Sequence, residues 1–255
     1  LIEKILYSFT MFVVLADLEI GRVDYSSFSD QALMEILLGQ MEKNGRFKDE
    51  TGDFKEINTM DGVQVDVTMS VISFEYVYYE LDGTLVMKWL PPRIERMNLQ
   101  GNFLHGEFEC ECLPSPMFFC DVSHNRLIGT ADLTCLPIRM QLLKINNNQI
   151  SGSLNFRNLP DTLILLNVSS NSFSGHIDLR GVSKRIGSDF FWSLGQKLWE
   201  RKYSELCLDT LALNFTNNEF SGEVRVNSLK KVEAFVIFEG MSCSLVVDDD
   251  GRTKK

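Results

Sequence analysis

Three histidines and one serine–histidine neighbourhood are the residues in this sequence that most resemble catalytic groups. The histidines are His105, His124 and His176; His124 directly follows Ser123 and lies three residues after Asp121. A serine nucleophile needs a histidine base within hydrogen-bond reach and a carboxylate that orients the base. Because adjacent side chains on a strand point to opposite faces, Ser123 and His124 are poorly placed to pair. The sequence therefore predicts no catalytic triad.

The cysteines and the acidic loops carry no recognisable ligand motif. The six cysteines, at 110, 112, 120, 135, 207 and 243, lack the paired spacing of a zinc site. The loops "DETGDFKE" at 49–56 and "DDDG" at 248–251 lack the ligand order of a calcium loop, so we interpret them as solvated turns. Phosphate-cradling and dinucleotide-binding glycine motifs are absent from the sequence as well. We predict no catalytic, metal or cofactor-binding residues and no enzymatic activity.

Composition and charge restrict the class of partner. The chain has 255 residues, 44% of them hydrophobic, and a formal net charge of −10. Such a surface repels nucleic-acid phosphate and anionic lipid, so we expect another protein, basic or neutral, as the partner. The apolar stretch 5–16 is too short and too polar to cross a bilayer. It fits a signal peptide, whereas a start at Met11 would remove that signal.

A period of 23 residues organises most of the chain. Each repeat is centred on an asparagine that has apolar residues five and three positions before it, another two positions after it, and a glycine four positions after it; the first four copies also have an apolar residue eight positions before the asparagine. Four of these asparagines follow one another at the full period, and the fifth follows after 47 residues, which suggests that one intervening repeat has diverged. The five are Asn102, Asn125, Asn148, Asn171 and Asn218.

The repeat pattern predicts the local structure of each copy. Apolar residues that alternate with polar ones favour a short strand with one face inward, and stacked copies then form a parallel sheet. Each asparagine can satisfy backbone groups of its own turn and the next, as a structural ladder. A Leu-Pro pair before each copy forbids an ordinary helix at that point. We predict a curved repeat solenoid with a parallel β-sheet on its concave face and a mostly extended or turn-like outer arc.

The segments "NVSSNSFSGHID" and "NFTNNEFSGEVR" resemble the plant-type leucine-rich repeat, and the Leu-Pro start is similar to that of protist leucine-rich repeat proteins. The resemblance extends over about residues 24–245 and implies the leucine-rich repeat fold. It leaves the function open, because the superfamily serves receptors, inhibitors and intracellular scaffolds alike.

The pattern divides the chain into five parts. A leader or poorly defined segment at 1–23 precedes an N-terminal cap at 24–70, repeats at 71–181, a segment at 182–207, and C-terminal repeats with a cap and charged tail at 208–255. In the cap we predict a helix that starts at Ser29 or Asp30. Helix-like spacing favours a helical insertion at 182–207, with a degenerate repeat as the alternative.

The cap also bears on where the protein is located. The segment "TMDGVQVD" resembles the plant-type cap, but Gln64 occupies the place of its cysteine. This substitution argues against the disulfide-linked extracellular form. The compartment stays open, with the cytoplasm favoured over secretion.

The candidate binding site lies on the concave sheet. Strand alternation predicts a solvent-facing apolar stripe of Phe119, Leu142 and Leu165, beside a polar column that includes Asp121, Lys144 and Asn167. In the alternative, the segment 182–207 or the C-terminus folds over this stripe and buries it. We predict a protein–protein interaction module of unknown oligomeric state. The rival interpretation is a fragment of an extracellular receptor-type ectodomain, in which Asn167 and Asn214 would be glycosylation acceptors.

Overall fold

The computed structural model describes residues 27–180, 182, 185–187, 210–226, 232–233 and 242–247. Within this part of the chain, 185–187, 210–211, 232–233 and 242–247 are described by their backbone alone.

The N-terminal cap is a helix joined to the first repeat. Helix α1, Asp30–Gly39, begins after Ser29, whose hydroxyl accepts a hydrogen bond from the Ala32 amide at 3.2 Å. The helix buries an apolar face that includes Leu37. The Asp30 carboxylate accepts a hydrogen bond from the Val71 amide at 2.7 Å and so joins the helix to the first repeat strand. The predicted helical cap is confirmed.

Among the described residues, the concave sheet has nine strands in the spatial order β1-β2-β4-β6-β8-β10-β13-β12-β15. Only β1 pairs antiparallel, with β2; the other pairs in this sheet are parallel. The strands are β1 (Val63–Val65), β2 (Val71–Glu75), β4 (Arg96–Asn98), β6 (Phe119–Asp121), β8 (Leu142–Lys144), β10 (Leu165–Asn167), β12 (Arg185–Gly187), β13 (Thr210–Asn214) and β15 (Val232–Glu233).

The outer part of the solenoid is built from extended strands and single helical turns. Two further parallel sheets follow the asparagine turns, in the orders β3-β5-β7 and β16-β14-β11-β9. Their strands are β3 (Asp82–Thr84), β5 (Phe103–Glu107), β7 (Arg126–Ile128), β9 (Ser151–Ser153), β11 (Ser172–Asp178), β14 (Glu219–Val226) and β16 (Ser242–Val247). Short 3-10 turns lie at Asn44–Phe47, Ile57–Thr59, Met87–Trp89, Cys110–Cys112 and Leu133–Cys135. The predicted curved solenoid and its mostly extended outer arc are confirmed.

The strand register reproduces the period of the sequence. Met97 pairs with Cys120, Cys120 with Leu143, and Leu143 with Leu166, each 23 residues further along the chain. These four side chains are fully buried in the main core. The period therefore sets which residues stack between neighbouring turns.

The asparagines form the contacts between turns. The Asn148 side-chain amide donates to the Val122 carbonyl of the preceding turn at 3.1 Å and to the Ile145 carbonyl of its own turn at 3.0 Å. Its carbonyl oxygen accepts from the Leu127 amide at 2.9 Å. The other four asparagines make the corresponding bonds, so the ladder runs to the preceding turn rather than the next.

The turn that contains Asn171 stacks directly on the turn that contains Asn218. The Asn218 amide donates to the Val168 carbonyl at 3.0 Å across 50 residues of sequence, whereas the same bond elsewhere spans 26. Strands β10 and β13 are neighbours, and so are β11 and β14. The suggestion that a diverged turn lies between these two asparagines is therefore wrong, because the strands of the two turns pair directly with each other.

Part of the chain between these two asparagines lies in the sheet out of sequence order. Strand β12, Arg185–Gly187, pairs with β13 on one side and with β15 on the other. It precedes β13 in the sequence but lies beyond it in the sheet. Apart from Val182 and this strand, the predicted helical insertion at 182–207 lies outside the described residues.

Candidate binding surface

The residues with catalytic chemistry are engaged in structural contacts. The Ser123 hydroxyl donates to the Asp121 carboxylate at 2.5 Å, so its proton is directed at Asp121 and not at His124. His124 Nε2 lies 3.4 Å from the Asn147 side-chain amide. His105 Nε2 lies 3.1 Å from the Thr84 hydroxyl, and His176 Nδ1 lies 3.1 Å from the Ser221 carbonyl.

The acidic loop of the cap is a closed turn. The Asp49 carboxylate accepts hydrogen bonds from the Thr51 amide at 2.8 Å, the Thr51 hydroxyl at 2.6 Å and the Asp53 amide at 3.2 Å. The Thr51 hydroxyl is the main cause that lowers the pKa of Asp49. Among the residues that the structure describes, no group of three His, Cys, Asp or Glu side chains is placed to hold a metal ion. "DDDG" at 248–251 lies outside them.

Four of the six cysteines are free thiols in the structure, and three of these have raised pKa values. Cys110, Cys112, Cys120 and Cys135 form no disulfide in the structure. Burial raises the pKa of Cys110 to about 12 and that of Cys112 to about 11, and it raises the pKa of Cys120 well above its ordinary value. Since the thiolate is the nucleophile, these three cysteines are poor candidates for reactive groups.

The apolar stripe lies on the concave side of the sheet, but it is buried. Phe119 pairs with Leu142 and Leu142 with Leu165, and with Ala212 they form a cluster separate from the main core. The exposed fractions of Phe119, Leu142 and Leu165 are 6%, 1% and 3%, so the expectation of a solvent-facing stripe is wrong. The Arg96 guanidinium lies 4.4 Å from the Phe119 ring centre.

The polar column beside the stripe is partly accessible. The Lys144 ammonium lies 3.1 Å from the Asp121 carboxylate, with side-chain exposures of 22% and 1%. The Asn167 side-chain carbonyl accepts from the Ser169 amide at 3.1 Å and from its hydroxyl at 2.8 Å. Asp121 therefore lies under Lys144, while Lys144 and Asn167 are half-buried at the surface.

One buried acceptor in this face has no partner. In four turns the residue at the end of the concave strand is Asn or Asp, and its oxygen accepts from the amide two residues later: Asn98, Asp121, Asn167 and Asn214. In the third turn this position is Lys144, which cannot accept a hydrogen bond. Two residues later the Asn146 side-chain oxygen is buried and unpaired, the one such side-chain atom in the part of the chain that the structure describes.

Comparison with solved structures identifies the fold. One match is the ectodomain of the Arabidopsis thaliana receptor kinase GASSHO1/SCHENGEN3, with TM-score 0.58, 18% identity, and coverage of 85% of this chain and 27% of that one. Another is Pollen Receptor Kinase 3, with TM-score 0.53, 15% identity, and coverage of 88% and 100%. The SOBIR1 ectodomain from Arabidopsis thaliana has TM-score 0.50, 20% identity, and coverage of 75% and 95%. The fold is that of a leucine-rich repeat solenoid. At these identities the likeness shows the fold alone.

No protein-family model and no curated protein matches this leucine-rich repeat chain in sequence. Among the described residues, no helix has the length and apolar character to cross a membrane.

Two features of the leucine-rich repeat surface were not predicted from the sequence. The unpaired side-chain oxygen of Asn146 had no signal in the sequence, because Lys144 in place of Asn or Asp removes an acceptor for the Asn146 amide and not a donor for its side-chain oxygen. The second feature is a group of exposed aromatic side chains on the outer side of β3, β5 and β7, which includes Tyr78 and Phe103. A signal for this second feature was present, because the position of Phe103 is Arg126 in the next repeat and Gln149 in the one after.

Proposed function

We propose that this leucine-rich repeat chain is a protein-binding module whose partner lies along the concave sheet. The observation that carries the proposal is the unbroken series of parallel strands β2, β4, β6, β8, β10 and β13, which stack residues in columns. Five strand spacings extend over about 24 Å, enough for an extended segment of roughly seven residues. A surface of this kind suits a polypeptide better than a small ligand.

The proposed contacts come from half-buried polar groups that lie beside a packed apolar stripe. Lys144 and Asn167 offer a donor and an amide to the partner, while Asp121 holds the Lys144 ammonium in place. The stripe of Phe119, Leu142 and Leu165 lies beside them and, being packed, keeps the strands in register. The net charge of −10 disfavours nucleic acid and anionic membranes as the partner.

The comparisons support a binding role by analogy of fold. The GASSHO1/SCHENGEN3 ectodomain was solved in complex with CASPARIAN STRIP INTEGRITY FACTOR 2. Fold by itself does not determine function, so the analogy supports a binding module without naming its ligand. The alternative, an extracellular receptor-type fragment, is favoured by the same likeness. The redox state of the cysteines and the presence of glycans at Asn167 and Asn214 distinguish the two.

The proposal is tested by affinity capture from the source cell with matched variants, read by mass spectrometry. Lys144→Met removes the charge and keeps the aliphatic stem, and Gln100→Arg adds bulk to the half-buried inner face. Lys43→Met is the control, since Lys43 is an exposed lysine of the cap. We expect a partner that the wild type and Lys43→Met retain and both inner-face variants lose. Retention by all variants with unchanged thermal melts would show that the concave sheet is not the binding surface.

A further inference from the structure

A cluster of exposed aromatic side chains lies on one side of the solenoid, away from the concave stripe. The aromatic face, as we define it, consists of Tyr78, Tyr79, Phe103, Arg126 and Ile128. Its four apolar members are 65%, 45%, 39% and 45% exposed. They are four of the seven most exposed large apolar side chains among the described residues. Concentration of this kind marks interaction surfaces, whereas scattered exposed apolar residues need no explanation.

The members of the aromatic face lie on neighbouring elements of the first turns. Phe103 lies on β5 and Arg126 on β7, strands that pair directly, and Ile128 pairs with Glu107. The Tyr78 ring lies so close over Gly101 that a Cβ there would overlap it. Gly101 is only two residues before Phe103, so Tyr78 borders the same surface.

The same outer side of the later turns has a different character. At the position of Phe103 the third turn has Gln149 and the fourth has Ser172. At the position of Tyr78 the third turn has Asn147 and the last has Asn217. All three of Tyr78, Asn147 and Asn217 have the left-handed backbone, with φ of 58°, 54° and 54°. The aromatic residues are therefore not required by the turn geometry, because asparagine fills the same conformation.

Two rings of this face already bind guanidinium groups from the chain itself. The Arg46 guanidinium lies 4.7 Å from the Tyr79 ring centre, and that of Arg126 lies 4.9 Å from the Phe103 ring centre. Tyr78 is the most exposed ring of the face. The exposed carboxylates of Glu80 and Glu107 flank the rings. Aromatic faces attract cations, and arginine more often than lysine.

From this arrangement we propose that the aromatic face docks an arginine-bearing basic segment of a partner protein, with a guanidinium stacked on the Tyr78 ring. Arg46 and Arg126 offset part of the negative charge of Glu80 and Glu107 at this face, so it is chiefly the net charge of −10 that draws such a segment to the molecule. Tyrosine, phenylalanine and arginine are also the residues enriched at protein interfaces. The aromatic face borders the concave sheet, because the Gln100 side-chain amide donates a hydrogen bond to the Tyr78 hydroxyl at 3.5 Å. Gln100→Arg therefore affects both surfaces, whereas Lys144→Met affects the concave sheet alone, so that variant distinguishes failure of one proposal from failure of the other.

The test measures fluorescence anisotropy at low ionic strength with a short labelled peptide in which arginines alternate with glycines. A lysine peptide of equal charge is the comparison probe. Tyr78→Asn and Phe103→Gln introduce the residues that the later turns carry, so each should fold as the wild type does, which a thermal melt verifies. Ile138→Ala, at a side chain 80% exposed, controls for loss of surface apolar area. Glu80→Gln has a matched control in Glu219→Gln, the same position of the last turn.

We expect the arginine peptide to bind more tightly than the lysine peptide. Tyr78→Asn should weaken arginine-peptide binding about two- to fivefold, as expected for an exposed cation–π contact. Phe103→Gln should weaken it less than Tyr78→Asn does, because Arg126 already occupies the Phe103 ring. Glu80→Gln should weaken it as well, while Ile138→Ala and Glu219→Gln leave it unchanged. Equal binding of the two peptides, unchanged affinity in Tyr78→Asn, or an equal loss in Glu80→Gln and Glu219→Gln would overturn the proposal, since each indicates attraction by bulk charge alone.

Discussion

Two asparagines in the third turn, Asn146 and Asn148, show how much the role of a residue depends on its neighbours. Asn148 makes bonds to Val122, Ile145 and Leu127. Asn146 is 7% exposed, and its side-chain oxygen is buried without a partner. A buried acceptor that lacks a hydrogen bond costs free energy, whereas a satisfied one contributes to stability. The two asparagines therefore have opposite effects on the fold.

The first prediction compares these two positions. Asn148→Ala leaves backbone groups of two turns unsatisfied, which should lower the free energy of unfolding by about 1 to 3 kcal/mol. Asn146→Ala removes the unpaired oxygen and should leave stability unchanged or slightly raised. Chemical denaturation of both variants measures the difference. An equal loss at the two positions, or no loss for Asn148→Ala, would contradict the role of the asparagine ladder.

A second prediction concerns the cysteines. Burial raises the pKa of Cys110, Cys112 and Cys120, which slows their oxidation because the thiolate is the reactive form. We expect all six cysteines of the sequence to titrate as free thiols under denaturing, non-reducing conditions. A count of about four or fewer, that is at least one disulfide, would favour the extracellular receptor-type interpretation instead.

The third prediction concerns pH. The Arg180 side chain, 2.7 Å from the Asp178 carboxylate, lowers the pKa of Asp178 to about 2. Because the folded pKa lies below the unfolded one of about 4, the stabilising effect is present above that pH and is lost as the pH falls towards 2. The acid-denaturation curves of the wild type and Asp178→Asn should therefore differ near neutral pH and converge below about pH 2. A constant difference across this range would exclude Asp178 as the titrating group.

At the scale of elements, the concave strands pack on both of their faces. One face contributes Cys120, Leu143 and Leu166 to the main core, and the other contributes Phe119, Leu142 and Leu165 to the second cluster. Substitutions in the stripe are therefore expected to lower the free energy of unfolding first, and to affect binding only through that loss of stability. The strands form a rigid, doubly packed layer.

The fourth prediction follows from this packing. Leu142 is 1% exposed, so Leu142→Ala should cost about 2 to 5 kcal/mol in the free energy of unfolding. Ile138 is 80% exposed, and Ile138→Ala should change it by less than about 0.5 kcal/mol. Urea denaturation of the two variants measures both effects. A stability loss for Leu142→Ala as small as that for Ile138→Ala would mean that the stripe is accessible to solvent.

The sequence predicted the register of the fold because the same interval separates equivalent residues in every intact turn. It also predicted on which side of the sheet Phe119, Leu142 and Leu165 lie, since alternation is a local property. The sequence left open whether they are exposed or buried, because burial depends on contacts between residues distant in sequence. The direct stacking of Asn171 on Asn218 was hidden for a similar reason. An insertion and a diverged repeat can have the same number of residues, so the sequence interval does not distinguish them. The hydrogen bonds between turns do.

At the scale of the whole molecule, the solenoid presents two surfaces with different chemistry. The concave sheet has half-buried polar groups around Lys144, beside the packed apolar stripe. The aromatic face, on the outer side of β3, β5 and β7, offers exposed rings. Repeats stacked in one dimension allow such surfaces to differ from turn to turn while the core stays constant. We therefore assign partner binding to residues on these two surfaces and stability to the residues of the interior.

Lysine footprinting of the complex with the captured partner shows whether that partner lies on the concave sheet. An amine-reactive reagent is applied with and without the partner, and labelling at each lysine is measured by mass spectrometry. We expect the partner to protect Lys144, while Lys43 in the cap and Lys88 on the outer arc are labelled as before. Unchanged labelling of Lys144, together with protection of Lys43 or Lys88, would contradict binding on the concave sheet.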